Sequence, residues 1–235
     1  MNKGIRKYTT WKIGDYVLQL SVVVIGIVVT FAGSNALEER AKAKELVQAM
    51  QIVKSELELN RQEVIRVTGI LQNERNGCSY LLHYKDHIRD ANPDTLRMYL
   101  YTPFISELYA YTDDALEMLK ASSLVQQIQN KETVLQLIKA YNKLKSVDEI
   151  FRWYYNSKEK EADLITKDPD FVMQNTELMK KGDIYEVWKY RFTNFHLNTI
   201  LRIAAFGAGF EETFQEAQDA LSDAIMLIDK EYNLK

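Results

Sequence analysis

The chain is 235 residues long, 46% hydrophobic and 27% charged, with nine Gly, three Pro and one Cys. That much apolar material can bury a core, and so few chain-breaking residues exclude a strand-rich sandwich and predict long helices in an all-α protein. A formal net charge of −3, from 33 acidic and 30 basic residues mixed along the sequence, leaves no electrostatic footprint for nucleic acid, and Cys78 alone excludes an intramolecular disulfide or a cysteine-rich metal site.

The first predicted element is a membrane span. Residues 16–37 contain no charge, and a helix needs about 20 mostly apolar residues to cross a bilayer. Lys3, Arg6, Lys7 and Lys12 precede the run, whereas Arg40, Lys42 and Lys44 after it are diluted by Glu38, Glu39 and Glu45; this bias places the N-terminus inside. The expected organisation is a cytoplasmic segment 1–15, a single-pass transmembrane helix 16–37 and an extracytoplasmic (periplasmic) helical domain 38–235. Trp11 and Tyr16 fit the membrane interface. Ser34-Asn35-Ala36 imitates a signal-peptide cleavage site, but the apolar run exceeds the roughly 7–15 residues of a secretory h-region, so a retained anchor is expected. Gly26, Thr30 and Gly33 put small side chains on one face of the span, where two helices can approach closely.

From Ala43 the positions Leu46, Met50, Val53, Leu57, Asn60, Val64, Val67 and Leu71 alternate spacings of three and four, a heptad seam with Glu56 and Arg61 at its flanks. The same pattern serves the core face of an intramolecular bundle or an intermolecular coiled coil. Val47, Ile52, Leu59 and Ile70 widen the stripe and favour the bundle. Asn60 argues the other way, because a polar seam residue is least costly opposite its own copy in a homodimer.

Asn76-Gly77 is expected to end that helix, and Asn92-Pro93 and Thr102-Pro103 each read as a cap followed by proline at the first helical position. Asp114 and Glu117 have capping-box spacing. A long helix begins after Asn130, carries Val134, Leu137, Ile138, Tyr141, Leu144, Val147, Phe151 and Tyr154 on one face, and should reach Thr166. Asp168-Pro169 breaks the chain, Asp183 with Glu186 marks the next start, and a last helix after Gly209 repeats the heptad through Phe210, Phe214, Ala217, Leu221, Ala224 and Ile228. The first and last long helices are natural partners.

Several of these residues resemble an uncharacterised family of small single-pass, membrane-anchored helical proteins abundant in Bacteroidota. Ile25-Gly26-Ile27, Asn35 and Glu38-Glu39-Arg40 resemble its membrane-exit signature, and Glu56-Leu57-Glu58-Leu59-Asn60 its acidic-leucine-Asn segment. Thr102-Pro103, the stretch from Leu116-Glu117 to Ala121-Ser122, Ile128-Gln129-Asn130 and Ile138-Lys139-Ala140-Tyr141 are similar to its further landmarks. The chain departs from the pattern at Ala32, Ala36 and Ser122-Ser123. The resemblance implies a retained anchor and an extracytoplasmic helical domain, and supplies no catalytic residue.

The chemistry-bearing residues are sparse. His83, His87 and Asp90 would share one side of a helix, a spacing that can chelate zinc, but Tyr84 stands where the general-base Glu of H-E-x-x-H belongs. His196, among Phe192 and Phe195, reads as a core or interface histidine. Cys78 reads as a free thiol in a loop, and Gly207-Ala208-Gly209 as a helix break with no phosphate-binding Lys-Ser/Thr after it. The aromatic runs 151–155 and 188–195 could line a ligand or glycan groove but read first as core; some of their rings must point away from a single stripe, buried between several helices or exposed for a partner. The expectation is a membrane-anchored interaction or scaffold protein with an unknown protein partner, not an enzyme, with no catalytic residue, cofactor or metal assigned. The alternative is an extracytoplasmic ligand-binding domain or metal-dependent enzyme using His83, His87 and Asp90.

Overall fold

The computed structural model describes the backbone of residues 5–206 and 210–234, and the side-chain surroundings of residues 38–205 and 210–234. Among the described residues the regular structure is entirely helical, as the scarcity of Gly and Pro predicts. The chain divides into two compact units, Met1–Met50 and Gln51–Lys235. In the first, side-chain surroundings are described from Glu38, which accepts a 2.6 Å hydrogen bond from Lys42 one turn on. The expected span 16–37, its interfacial Trp11 and Tyr16 and the Gly26, Thr30 and Gly33 face lie outside the residues whose side chains are described. Among the described residues, no helix is long and apolar enough to cross a membrane.

The helix α1, Ile5–His83, carries the heptad seam into the second unit. There Val53, Leu57, Val64 and Val67 are fully buried, whereas Ile52 and Leu59, expected to widen the stripe, are exposed. The expected stop at Asn76-Gly77 does not occur. Gly77 lies inside α1 where a Cβ would meet the Tyr99 ring at 2.7 Å, so this glycine permits a close approach and is not a helix terminus.

Helix α2, Pro93–Met98, starts as expected, with the Asn92 side chain accepting from Asp94 and Thr95 N–H. Thr102-Pro103 instead opens a single 3-10 turn after Tyr101. Helix α3, Asp114–Ala121, has no side-chain cap of its own, which corrects the capping-box expectation. Asn130 caps α4, Lys131–Thr166, through the Glu132 N–H. Its stripe is buried from Leu137 to Tyr154, except that Val134 is half-exposed and Ile138 exposed. Asp168 caps α5, Pro169–Lys181, which ends on Gly182 in the left-handed conformation, and Asp183 caps α6, Ile184–Arg191. The chain then breaks where sequence showed no stop: Asn194 accepts from the Leu197 N–H and starts a separate α7, Phe195–Phe206. Gly207-Ala208-Gly209 lies outside the described residues. The last helix, α8, is Phe210–Tyr232, with Phe214, Ala217, Leu221, Ala224 and Ile228 buried as its heptad requires.

Side-chain bonds define the topology of the second unit. Lys54 meets Asp229, Arg61 meets Ser222, Thr68 meets Gln218 and Arg75 meets Glu211, so α8 runs antiparallel to α1. Thr133 meets Glu231 and Lys143 meets Glu216, so α8 is also antiparallel to α4. Tyr141 reaches Glu56 and Tyr155 reaches Glu74, so α1 and α4 are parallel. Two parallel helices cannot be joined by a short hairpin. The connection 84–130 therefore has to carry the chain back along the bundle.

Candidate functional site

The returning chain is a strap. Between the 3-10 turn Thr102–Phe104 and α3, residues 105–113 form no helix or turn, and their first partners are side chains. Arg191 donates to the Leu100 carbonyl at 2.6 Å, Lys158 to Ile105 at 2.9 Å and Arg66 to Leu108 at 2.9 Å. Asn60 holds Thr112 at both main-chain groups, donating to its carbonyl at 2.7 Å and accepting from its N–H at 3.0 Å. The Glu56 carboxylate accepts the Ala115 N–H at 2.9 Å and so caps α3 from α1. As strap numbers rise, the α1 partners fall from Arg66 to Asn60 to Glu56, so the strap runs antiparallel to α1. Four of the buried polar residues, Glu56, Asn60, Lys158 and Arg191, are accounted for by this one task.

Asn60 therefore does not require a symmetry-related copy. Its side chain substitutes for a neighbouring strand, and the Asn60 argument for a homodimer loses its premise.

Behind the strap is a buried charged group. Lys158 and Glu74 are in direct contact, and the Tyr155 hydroxyl donates to Glu74 at 3.2 Å. Lys158 also stands over the Tyr154 and Tyr155 rings, 5.3 and 5.1 Å from their centroids. Burial pulls the Lys158 ammonium down to about 7 and pushes the Tyr155 hydroxyl up. Lys158 also lines a cavity of about 110 Å³ with Pro103, Phe104, Ile105, Tyr155 and Glu159. Further along α4, Tyr111, Asp113, Lys120, Tyr141, Asn142 and Lys145 line one of about 140 Å³. Between these two cavities the strap rests on α4, where the buried Tyr109 ring lies 5.7 Å from the Phe151 ring.

The sequence-predicted candidates lie elsewhere. α1 ends at His83, a 3-10 turn follows over Lys85–Asp90, and His87 has non-helical φ −141° and ψ 48°, so the expected shared helix face does not form, although the His83 and His87 rings still lie 5.6 Å apart, edge to face. All three are exposed, and among the described residues no three His, Cys, Asp or Glu side chains are placed to hold a metal ion. Cys78 is not in a loop. It is fully buried inside α1, where burial pushes its thiol up to about 12, far from reactivity. His196 is a partly exposed residue 2.7 Å from Glu161, not a core histidine. Of the two aromatic runs, Trp153 and Phe195 are the outward rings, 60% and 75% exposed, while Tyr154, Tyr155, Trp188 and Phe192 are buried.

Sequence reasoning missed the strap. Its signal is the β-branched and aromatic content of Ile105, Tyr109, Tyr111 and Thr112, between two helical regions and without a 3.6-residue period. Comparison of the chain with protein-family models, curated proteins and solved structures finds no match.

Proposed function

We infer that this protein is a membrane-anchored helical interaction domain and not an enzyme. In this reading residues 16–37 are a retained single-pass anchor, residues 1–15 are cytoplasmic, and the chain from residue 38 is extracytoplasmic. The observation that carries the reading is the charge-free run 16–37 behind a basic N-terminal segment. The resemblance of the membrane-exit residues to an anchored family supports it. The interaction role is supported by the strap, which holds Tyr101, Phe104 and Leu108 outward, Leu108 at 85% exposure.

Carbonate extraction of membranes, with protease digestion of spheroplasts, tests the address. The expected result is retention in the membrane pellet and digestion from outside; release into the soluble fraction with a new N-terminus at Leu37 overturns it. Crosslinking in native membranes tests the role, and reproducible capture of a defined partner is expected. Stoichiometric zinc in protein purified without chelator, lost in His87→Ala, would reverse the preference toward a metal-dependent enzyme.

A further inference from the structure

We propose that the pocket between α2, α5 and α6 binds a small organic carboxylate, whose apolar body fills the pocket and whose charged end supplies the missing counter-ion of the buried Arg191. This goes beyond the interaction reading above and does not rest on it.

Arg191 ends α6 and is only 3% exposed. Its guanidinium donates to the Asn175 side chain at 2.9 Å and to the Leu100 carbonyl at 2.6 Å, and the Met179 sulfur stands 3.6 Å away. The Trp188 and Phe104 rings lie against it, their centroids 5.0 and 5.6 Å from its central carbon. The N–H groups of the guanidinium thus meet an amide oxygen, a main-chain carbonyl and a weakly accepting thioether. Among the described residues Arg191 has no carboxylate partner, whereas the other buried cation, Lys158, has Glu74. Burial pulls the Arg191 guanidinium down to about 10. An arginine is almost never buried to this degree unless it is paired. Holding the strap explains the bond to Leu100, which a neutral amide would also make. It leaves the charge unexplained.

Leu100 and Met179, both bonded by Arg191, are also walls of a pocket of about 190 Å³, together with Arg97, Gly182, Ile184 and Val187. The guanidinium therefore lies directly behind the pocket wall. Ile184 and Val187 are buried and give the pocket its apolar side. Arg97 is the charged residue among these walls. Its bond to Asp94, at 2.9 Å, joins two side chains that are each more than half exposed, so the pair is weak and exchangeable. The nearby Asp183 carboxylate is occupied in capping α6, where it accepts from the Tyr185 and Glu186 N–H groups. Gly182 marks the open side, since a Cβ there would meet nothing within 4 Å.

Size and charge together select the occupant. An apolar cavity of about 150 Å³ takes one benzene ring, so this pocket has room for a single ring or a short branched chain that carries a carboxylate. One cation stands in the wall and another behind it, with no acid in the lining, which favours an anion and opposes an amine. Met179 is the part that moves. Its thioether is the weakest of the three acceptors around Arg191, and its unbranched side chain shifts readily between rotamers. A carboxylate oxygen that takes the place of the sulfur makes a charge-assisted hydrogen bond instead.

The test uses the full chain in nonionic detergent and radiolabelled phenylacetate in equilibrium dialysis, with protein-free micelles as the blank. Saturable binding of one equivalent with a Kd below about 1 mM is expected. Phenylacetamide keeps the shape without the charge, and acetate keeps the charge without the ring; each is expected to compete at least about tenfold more weakly than unlabelled phenylacetate. Leu100→Trp, which fills the pocket from a half-exposed wall position, is expected to abolish binding. Arg191→Gln keeps a donor for the Leu100 carbonyl and removes the charge, and a loss of at least about tenfold is expected with helical circular dichroism retained. The proposal is overturned if no saturable binding is found, if phenylacetamide or acetate competes as well as phenylacetate, or if Leu100→Trp or a folded Arg191→Gln binds as wild type. If Arg191→Gln does not fold, the two competitors and Leu100→Trp decide alone.

Discussion

Two glycines on α1 have opposite meanings. Gly69 has nothing within 4 Å of a prospective Cβ, whereas Gly77 is pressed by the Tyr99 ring and Thr102. Gly69→Ala is therefore expected to stabilise by about 0.5–1 kcal/mol, the ordinary helix gain. Gly77→Ala is expected to cost about 1–3 kcal/mol, because the clash with a packed ring outweighs that gain. Urea unfolding of both variants checks the pair, and a shared sign would refute the contact. Cys78 supplies a pH test at the same scale. With its thiol at about 12, the native protein at pH 8.5 holds almost no thiolate, so alkylation by iodoacetamide should be slow until denaturant is added. Fast labelling of the native state would mean that α1 opens around Cys78.

Polar side chains decide how the elements are joined. Lys158 and Glu74 form a buried pair, and removing one partner strands the other charge. Glu74→Leu and Lys158→Met should each cost about 3–5 kcal/mol, and the double variant much less than their sum, since an apolar pair of similar volume needs no solvation. Additive losses in denaturant melts would show that the two groups act separately. Asn60→Ala removes both bonds to Thr112 and leaves its main chain without that partner; a loss of about 2–3 kcal/mol is expected. Hydrogen–deuterium exchange should then rise first at Thr112 and its neighbours, with α4 unchanged. Asn92, Asn130, Asp168 and Asp183 were legible as caps because each satisfies N–H groups two or three residues away, a relation contained in the local sequence. The cap of α3 was not, because Glu56 comes from a distant helix.

At the scale of the whole molecule, the heptad seam of α1 is used within one chain. Leu57 and Val64 are fully buried in the unit Gln51–Lys235. Cysteines placed at these positions in a Cys78→Ser background are thus expected to form no intermolecular disulfide in membranes. Efficient crosslinking at 57 or 64 would show that the bundle opens to pair with a second copy. The exposed side of the same helix, with Ile52 and Leu59, is where a close second chain would leave its mark.

Sequence alone determined the helical class, the charge-free run, the long helix from Lys131 to Thr166 and the pairing of the first and last long helices. Each follows from a period, a cap or a composition that a short window contains. Only the tertiary structure decided that Asn60 holds a strap, that Cys78 is buried, that Gly77 is a contact and that the neighbouring His83 and His87 rings are not joined by Asp90 in a three-residue metal group. These depend on which segment lies opposite, and for the strap that was set by one topological requirement: α1 and α4 run parallel, so an irregular chain must return along them and is held by their side chains at Ile105, Leu108 and Thr112.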